Sequence, residues 1–125
     1  MKLGIIVQCR MSSTRLPGKI LKKVINKTFL EYLIERLLRI KFDNEICIAC
    51  TINDIDDPIV EVVSKYKLKI FRGSETNVLQ RFVQASKKNK VKNIVRITAD
   101  CPLVDGRMID KLINIYSKDN LDYIY

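Results

Sequence analysis

Short β-branched runs alternate with amphipathic helical stretches along this 125-residue chain, and that alternation limits the folds open to it. Lys2 to Cys9, Ile46 to Thr51, Lys69 to Arg72 and Ile94 to Thr98 read as strands, with Asp122 to Tyr125 as the start of a fifth. Between them, Thr28-Phe29-Leu30-Glu31 fits a capping box opening a helix with two adjacent i, i+4 rows: Phe29, Leu33, Leu37 and Leu30, Ile34, Leu38. Asp57-Pro58 supplies an N-cap and a first-turn proline for a second helix, with Ile59, Val60, Val62 and Val63 inward and an end near Tyr66. Asn77 to Asn89 forms a third, with Val78, Leu79, Phe82 and Val83 as its stripe. Asp105 caps a fourth bearing Met108, Ile109, Leu112, Ile113 and Tyr116. Strand and helix in strict alternation predict one α/β domain over residues 1–125 with a mainly parallel sheet.

Such sheets bind ligands beyond the carboxyl ends of their strands. The loops leaving the strands begin at Arg10, Thr51, Arg72 and Ala99-Asp100, so they are expected along one edge. The first loop is the richest. Gln8 to Lys19 holds three cations, Arg10, Arg15 and Lys19, spaced by Ser12, Ser13 and Thr14 and closed by Pro17-Gly18. Fixed positive charge, hydroxyl donors and little bulk suit a polyphosphate. The plainer alternative is a solvated basic loop. A P-loop is disfavoured, because Gly18-Lys19 is followed by Ile20 and no upstream glycine has the required spacing.

Asp100, just past a buried strand and before Cys101-Pro102, is the metal candidate; as a plain turn residue it would be less needed, since Asp105 already fills the cap role. Four cysteines without histidine argue against a secreted disulfide framework and against histidine-containing zinc sites. Cys47 and Cys50 have C-x-x-C spacing, but three apart in a strand they face opposite sides and read as core residues. Net charge is +9, with the lysines dispersed and the aromatics too few to interleave as stacking platforms, so no nucleic-acid partner is expected. No apolar run approaches a membrane span and no signal peptide is read, which makes cytoplasmic the expected location.

Three blocks carry a family resemblance: Arg10 to Lys19, Phe71-Arg72-Gly73-Ser74, and Arg96 to Leu103. Together they resemble the cytidylyltransferases that activate acidic sugars, of the acylneuraminate and 3-deoxy-manno-octulosonate type. More narrowly, they are similar to the spore-coat polysaccharide biosynthesis branch of that family. The resemblance implies a three-layer α/β/α, Rossmann-like nucleotide-diphospho-sugar transferase fold. It also implies transfer of CMP from CTP to an acidic sugar, with Mg²⁺ and release of pyrophosphate. It assigns Arg10 and Lys19 to phosphate binding and transition-state stabilisation, and Asp100 to the metal. Gln8, Cys9, Ser12, Ser13, Thr14, Arg15, Thr51, Arg72 and Ser74 would bind the nucleotide, with Arg72 the candidate for reading the base. Members of that family run to about twice this length. Their second metal-binding aspartate, much of the sugar pocket and the dimerisation elements lie in the later part. The chain is therefore expected to be an N-terminal, nucleotide-binding portion, with a homodimer expected of the full-length form. The rival expectations are a non-catalytic nucleotide- or polyanion-binding fragment of the same fold, and a transferase using another nucleotide.

Overall fold

The computed structural model describes residues 2–125. Its elements are β1 (Leu3–Gln8), a 3₁₀ turn (Lys19–Leu21), β2 (Lys23–Val24), β3 (Lys27–Thr28), α1 (Phe29–Leu37), β4 (Asn44–Thr51), α2 (Asp57–Ser64), β5 (Lys69–Gly73), α3 (Val78–Lys88), β6 (Asn93–Thr98) and α4 (Gly106–Lys118). A four-stranded sheet runs in the order β5-β4-β1-β6, with every pairing parallel. β1 is central: Leu3 to Gln8 pairs with Asn44 to Ala49 on one side and with Asn93 to Thr98 on the other.

Strand periodicity divides the core in two. Leu3, Ile5 and Val7 of β1, with Ile46, Ile48 and Cys50 of β4, join buried residues of α1, α2 and α4 in the larger cluster. Ile6, Cys47 and Ala49 face the other way, against Phe82 and Ala85 of α3. Helices thus cover both faces, the three-layer arrangement expected. Cys47 and Cys50 fall in separate clusters, as their spacing predicted. Thr28 caps α1 by accepting the Glu31 N–H at 3.1 Å, and Leu30, Leu33, Ile34 and Leu37 are buried beneath the sheet.

Several expectations need correction. Asp57 is the first residue of α2 rather than its cap; Asp56 occupies the cap position and turns its carboxylate elsewhere. The stripe of α3 is shifted: Leu79 is 76% and Val83 41% exposed, while Arg81, Phe82, Ala85 and Ser86 are buried. Phe82 and Ala85 reach the sheet, and a helix turns only one such face inward. Met108 points outward from α4 and Leu38 lies exposed past α1. The connection after the first loop contains an unforeseen antiparallel hairpin, β2–β3, turning through Ile25 in a left-handed conformation (φ 62°). Asp122 to Tyr125 forms no strand. β6 therefore keeps an open outer edge, bordered by a groove of about 480 Å³ with Tyr116, Tyr123 and Tyr125 along it.

Candidate nucleotide site

The carboxyl ends of β1 and β6 adjoin, because Gln8 pairs with Thr98 and the Ala99 N–H donates to the Gln8 carbonyl at 3.0 Å. That junction carries the first loop on one strand and Asp100 on the other. The loop folds back on itself at Met11, whose carbonyl accepts N–H groups from Ser13 at 3.0 Å and Gly18 at 2.8 Å. Gly18 has φ +70°, a conformation natural to glycine, and Lys19 follows it directly into the 3₁₀ turn. Lys19 Nζ consequently lies 3.4 Å from Asp100 Oδ2. The two ends of the chain's cationic and acidic motifs, 81 positions apart, meet at one place.

Between them lies a polar pocket of about 140 Å³ whose lining includes Gln8, Arg10, Ser13, Lys19, Thr98 and Asp100. Arg10 is exposed and makes no hydrogen bond or ion pair among the described residues. The Gln8 side-chain oxygen is buried there without a hydrogen-bond partner, an unsatisfied acceptor on the pocket wall. The Thr98 hydroxyl and, after it, the Lys19 ammonium hold the Asp100 carboxyl below its ordinary range. A depressed carboxyl stabilises the fold above its unfolded pKa, about 3.9, and that contribution disappears as pH falls through the folded value. Lys19→Met is expected to move the Asp100 midpoint upward in a side-chain ¹³C titration, with the Thr98 contribution left in place.

Among the described residues no set of three or more histidine, cysteine or acidic side chains is arranged to hold a metal. Asp100 alone offers a carboxylate in the pocket. That donor set fits Mg²⁺, which keeps several waters and is held by one or two carboxylates together with substrate phosphates.

The cytidylyltransferase family model matches residues 4–125. The chain belongs to the cytidylyltransferase family. It is 37% identical over 125 residues to the spore coat polysaccharide biosynthesis protein SpsF of Bacillus subtilis, covering 96% of this chain and 52% of that one. It is 28% identical over 115 residues to the 3-deoxy-manno-octulosonate cytidylyltransferase of Geobacter metallireducens, covering 90% of this chain and 44% of that one. Among solved structures it is similar to a cytidylyltransferase from Leptospira borgpetersenii, with a TM-score of 0.86, 39% identity, and coverage of 94% of this chain and 49% of that one. The chain spans about half the length of the relatives it matches.

The other predicted residues lie in varied surroundings outside the pocket lining. Ser12 donates from its hydroxyl to Glu75 Oε1 at 3.4 Å, joining the first loop to the one after β5. Thr14 and Arg15 are exposed on the outer part of the loop. The Cys9 side chain is buried in the larger cluster and burial pushes its thiol well up, so a ligand would meet its backbone rather than its sulfur. Thr51 is also buried, with its hydroxyl 2.5 Å from Asp56 Oδ2. Arg72 donates to the Thr51 and Asn53 carbonyls, each at 2.8 Å, and to Asp57 Oδ1 at 2.7 Å. Ser74 accepts the Asn77 N–H at its hydroxyl and an Arg81 N–H at its carbonyl. None of Cys9, Thr51, Arg72 or Ser74 lines the pocket beside Lys19 and Asp100.

Two further buried charged residues, Asp56 and Arg81, carry no mark in the local sequence. Arg81 is fully buried, gives one N–H to the Ser74 carbonyl at 2.7 Å, and leaves Nε and Nη2 without partners. Burial, with repulsion from Arg10 after it, lowers its proton affinity. Arg96, within β6, is exposed and lies over the Phe82 ring at 5.2 Å.

Proposed function

We propose that this chain carries the nucleotide-binding part of an enzyme that transfers CMP from CTP to an acidic sugar, releasing pyrophosphate, for a surface or spore-coat polysaccharide. The observation that carries the reading is the convergence of Arg10, Lys19 and Asp100 on one pocket at the ends of β1 and β6. The likeness to a spore coat polysaccharide biosynthesis protein of Bacillus and a 3-deoxy-manno-octulosonate cytidylyltransferase of Geobacter supports the polysaccharide and the acidic sugar.

The reaction forms a bond from a sugar hydroxyl oxygen to the α-phosphorus and breaks the α–β phosphate bond, and the hydroxyl proton is released. Such a displacement needs alignment and charge stabilisation more than covalent participation by the protein. Arg10, lacking a protein partner, is placed to take phosphate oxygens with its full donor set. Lys19 supplies a second, point-like charge on the opposite side of the loop closure, and Ser13 and Gln8 add polar groups from the same pocket. Arg72 uses three of its five N–H donors on protein acceptors, which leaves two for the base and fixes the loops around it. Asp100 would hold Mg²⁺, which when bound offsets phosphate charge and orients the α-phosphate. Cytoplasmic placement and a homodimer of the whole protein belong to the same proposal; among the described residues no helix is long and apolar enough to cross a membrane.

The test is pyrophosphate release with CTP, UTP, ATP and GTP against a panel of acidic sugars, with Mg²⁺. It is run on this chain and on the longest natural polypeptide containing it. Release confined to CTP and an acidic sugar is expected from the longer polypeptide; no release with any pairing would overturn the enzymatic reading. The half-length match to relatives favours a second outcome for the chain alone, nucleotide binding without turnover. Binding that falls steeply with salt and ignores the base would reduce the site to a general polyanion site.

A further inference from the structure

Asp56 is fully buried, yet among the described residues it has no cation within ion-pair distance. An ionised carboxylate in such a place must be held by several donors. Oδ1 accepts the Met11 N–H at 2.7 Å, and Oδ2 accepts the Thr51 N–H at 2.9 Å and the Thr51 hydroxyl at 2.5 Å. Asp56 stands at the cap position of α2, where aspartate ordinarily bonds the N–H groups of its own helix. It makes no such bond here. Its hydrogen-bonding capacity goes across the sheet edge, to the loop after β1 and to the end of β4.

Met11 is the residue through which that bond has its effect. Its N–H is taken by Asp56, and its carbonyl closes the loop by accepting the Ser13 and Gly18 N–H groups. On the other side of Arg10, the Cys9 N–H donates to the Ala49 carbonyl at 3.0 Å. Arg10, with no side-chain partner, is thus placed by the two backbone amides that flank it. Lys19 is placed by the Gly18 N–H that returns to the same Met11 carbonyl.

We infer that Asp56 is a positioning residue for both pocket cations, acting through the Met11 peptide. It touches no ligand itself. The effect on nucleotide rests on the function proposed above; the effect on the loop does not. Asparagine cannot replace the carboxylate, because its NH₂ would face one of the N–H donors that Asp56 now accepts.

The experiment pairs backbone amide exchange by NMR with CTP affinity, on the wild-type chain and Asp56→Asn. Exchange at Met11, Ser13 and Gly18 is expected to speed up by about tenfold or more. Ile48, Phe82 and Ala85 are expected to stay within about twofold of wild type. CTP affinity of the same folded sample is expected to fall by about tenfold. Should Asp56→Asn fail to fold or exchange faster throughout, Thr51→Val decides, since it removes one donor to Oδ2 and keeps the shape; about threefold faster exchange at the loop amides is then expected. Loop amides unchanged in the deciding variant would overturn the inference. Faster loop exchange in Asp56→Asn with unchanged CTP affinity would do so as well, by reducing Asp56 to a brace. A wild-type chain that binds no nucleoside triphosphate would sink the proposed function, while the exchange data would still decide the role of Asp56.

Discussion

Replacing Arg10 by alanine is expected to lower pyrophosphate release with CTP by about 10²–10³-fold, the usual loss when one preorganised donor to a developing charge is removed. The same variant should melt with the wild type, because Arg10 is exposed and bonded to no other described residue. Surface substitutions away from packing and hydrogen-bond networks ordinarily change stability by less than about 0.5 kcal/mol. The fall should appear in kcat and kcat/KM together, since a group acting on charge that builds during bond breaking affects the transition state more than the bound substrate. Measurement on the longest natural polypeptide containing this chain, with nucleotide binding followed in parallel, separates turnover from affinity. A loss smaller than about threefold would remove Arg10 from the transition-state role.

Leu33→Ala should have the largest effect on stability. Leu33 is fully buried in α1, in the larger cluster with Ile5 and Val7 of the central strand and Ile48 of β4. Removing its branched end takes apolar surface out of the core and leaves a space that surrounding side chains fill only in part. The expected cost is about 3–4 kcal/mol, a large fraction of the roughly 5–15 kcal/mol that separates folded from unfolded chains. Urea unfolding should show a lower midpoint at an unchanged slope, because the surface exposed on unfolding is nearly the same. The folded fraction should bind nucleotide as before, since Leu33 lies outside the pocket lining. This is the reverse of the Arg10 outcome. A changed slope would mean that the variant had altered more than packing.

Much of the fold is legible in the sequence for a specific reason. β1 and β4 are buried on both faces, so each reads as a continuous apolar run, and α1 presents two neighbouring i, i+4 rows because it lies flat on the sheet. α3 is harder. Its inward face includes Arg81, whose guanidinium finds the Ser74 carbonyl, and no periodicity rule counts an arginine as core. The β2–β3 hairpin has strands of two residues, too short for any alternation to register. The Asp122 to Tyr125 segment has strand composition but lies along the groove beside β6 without pairing to it, and composition does not distinguish the two.

The site divides along the same line. Gln8 ends β1, and Arg10, Lys19 and Asp100 lie in the segments that follow β1 and β6, so local sequence and the rule for parallel sheets place them together. Asp56 was invisible for the opposite reason. Its decisive bond reaches a backbone N–H 45 residues earlier, and an acidic run after a strand carries no mark of which carboxylate will turn inward.

The central place of β1 also bears on how the binding site comes into being. Its partner β6 lies some ninety residues along the chain, and the Gln8–Thr98 register sets Lys19 against Asp100. Contacts of such wide separation are entropically slow to close. During synthesis, the loop after β1 would leave the ribosome long before the strand that completes the pocket, and no form lacking β6 would bring Lys19 and Asp100 together. A ligand held in this pocket would therefore report on the pairing of β6 with β1, and would act as a clasp on that seam.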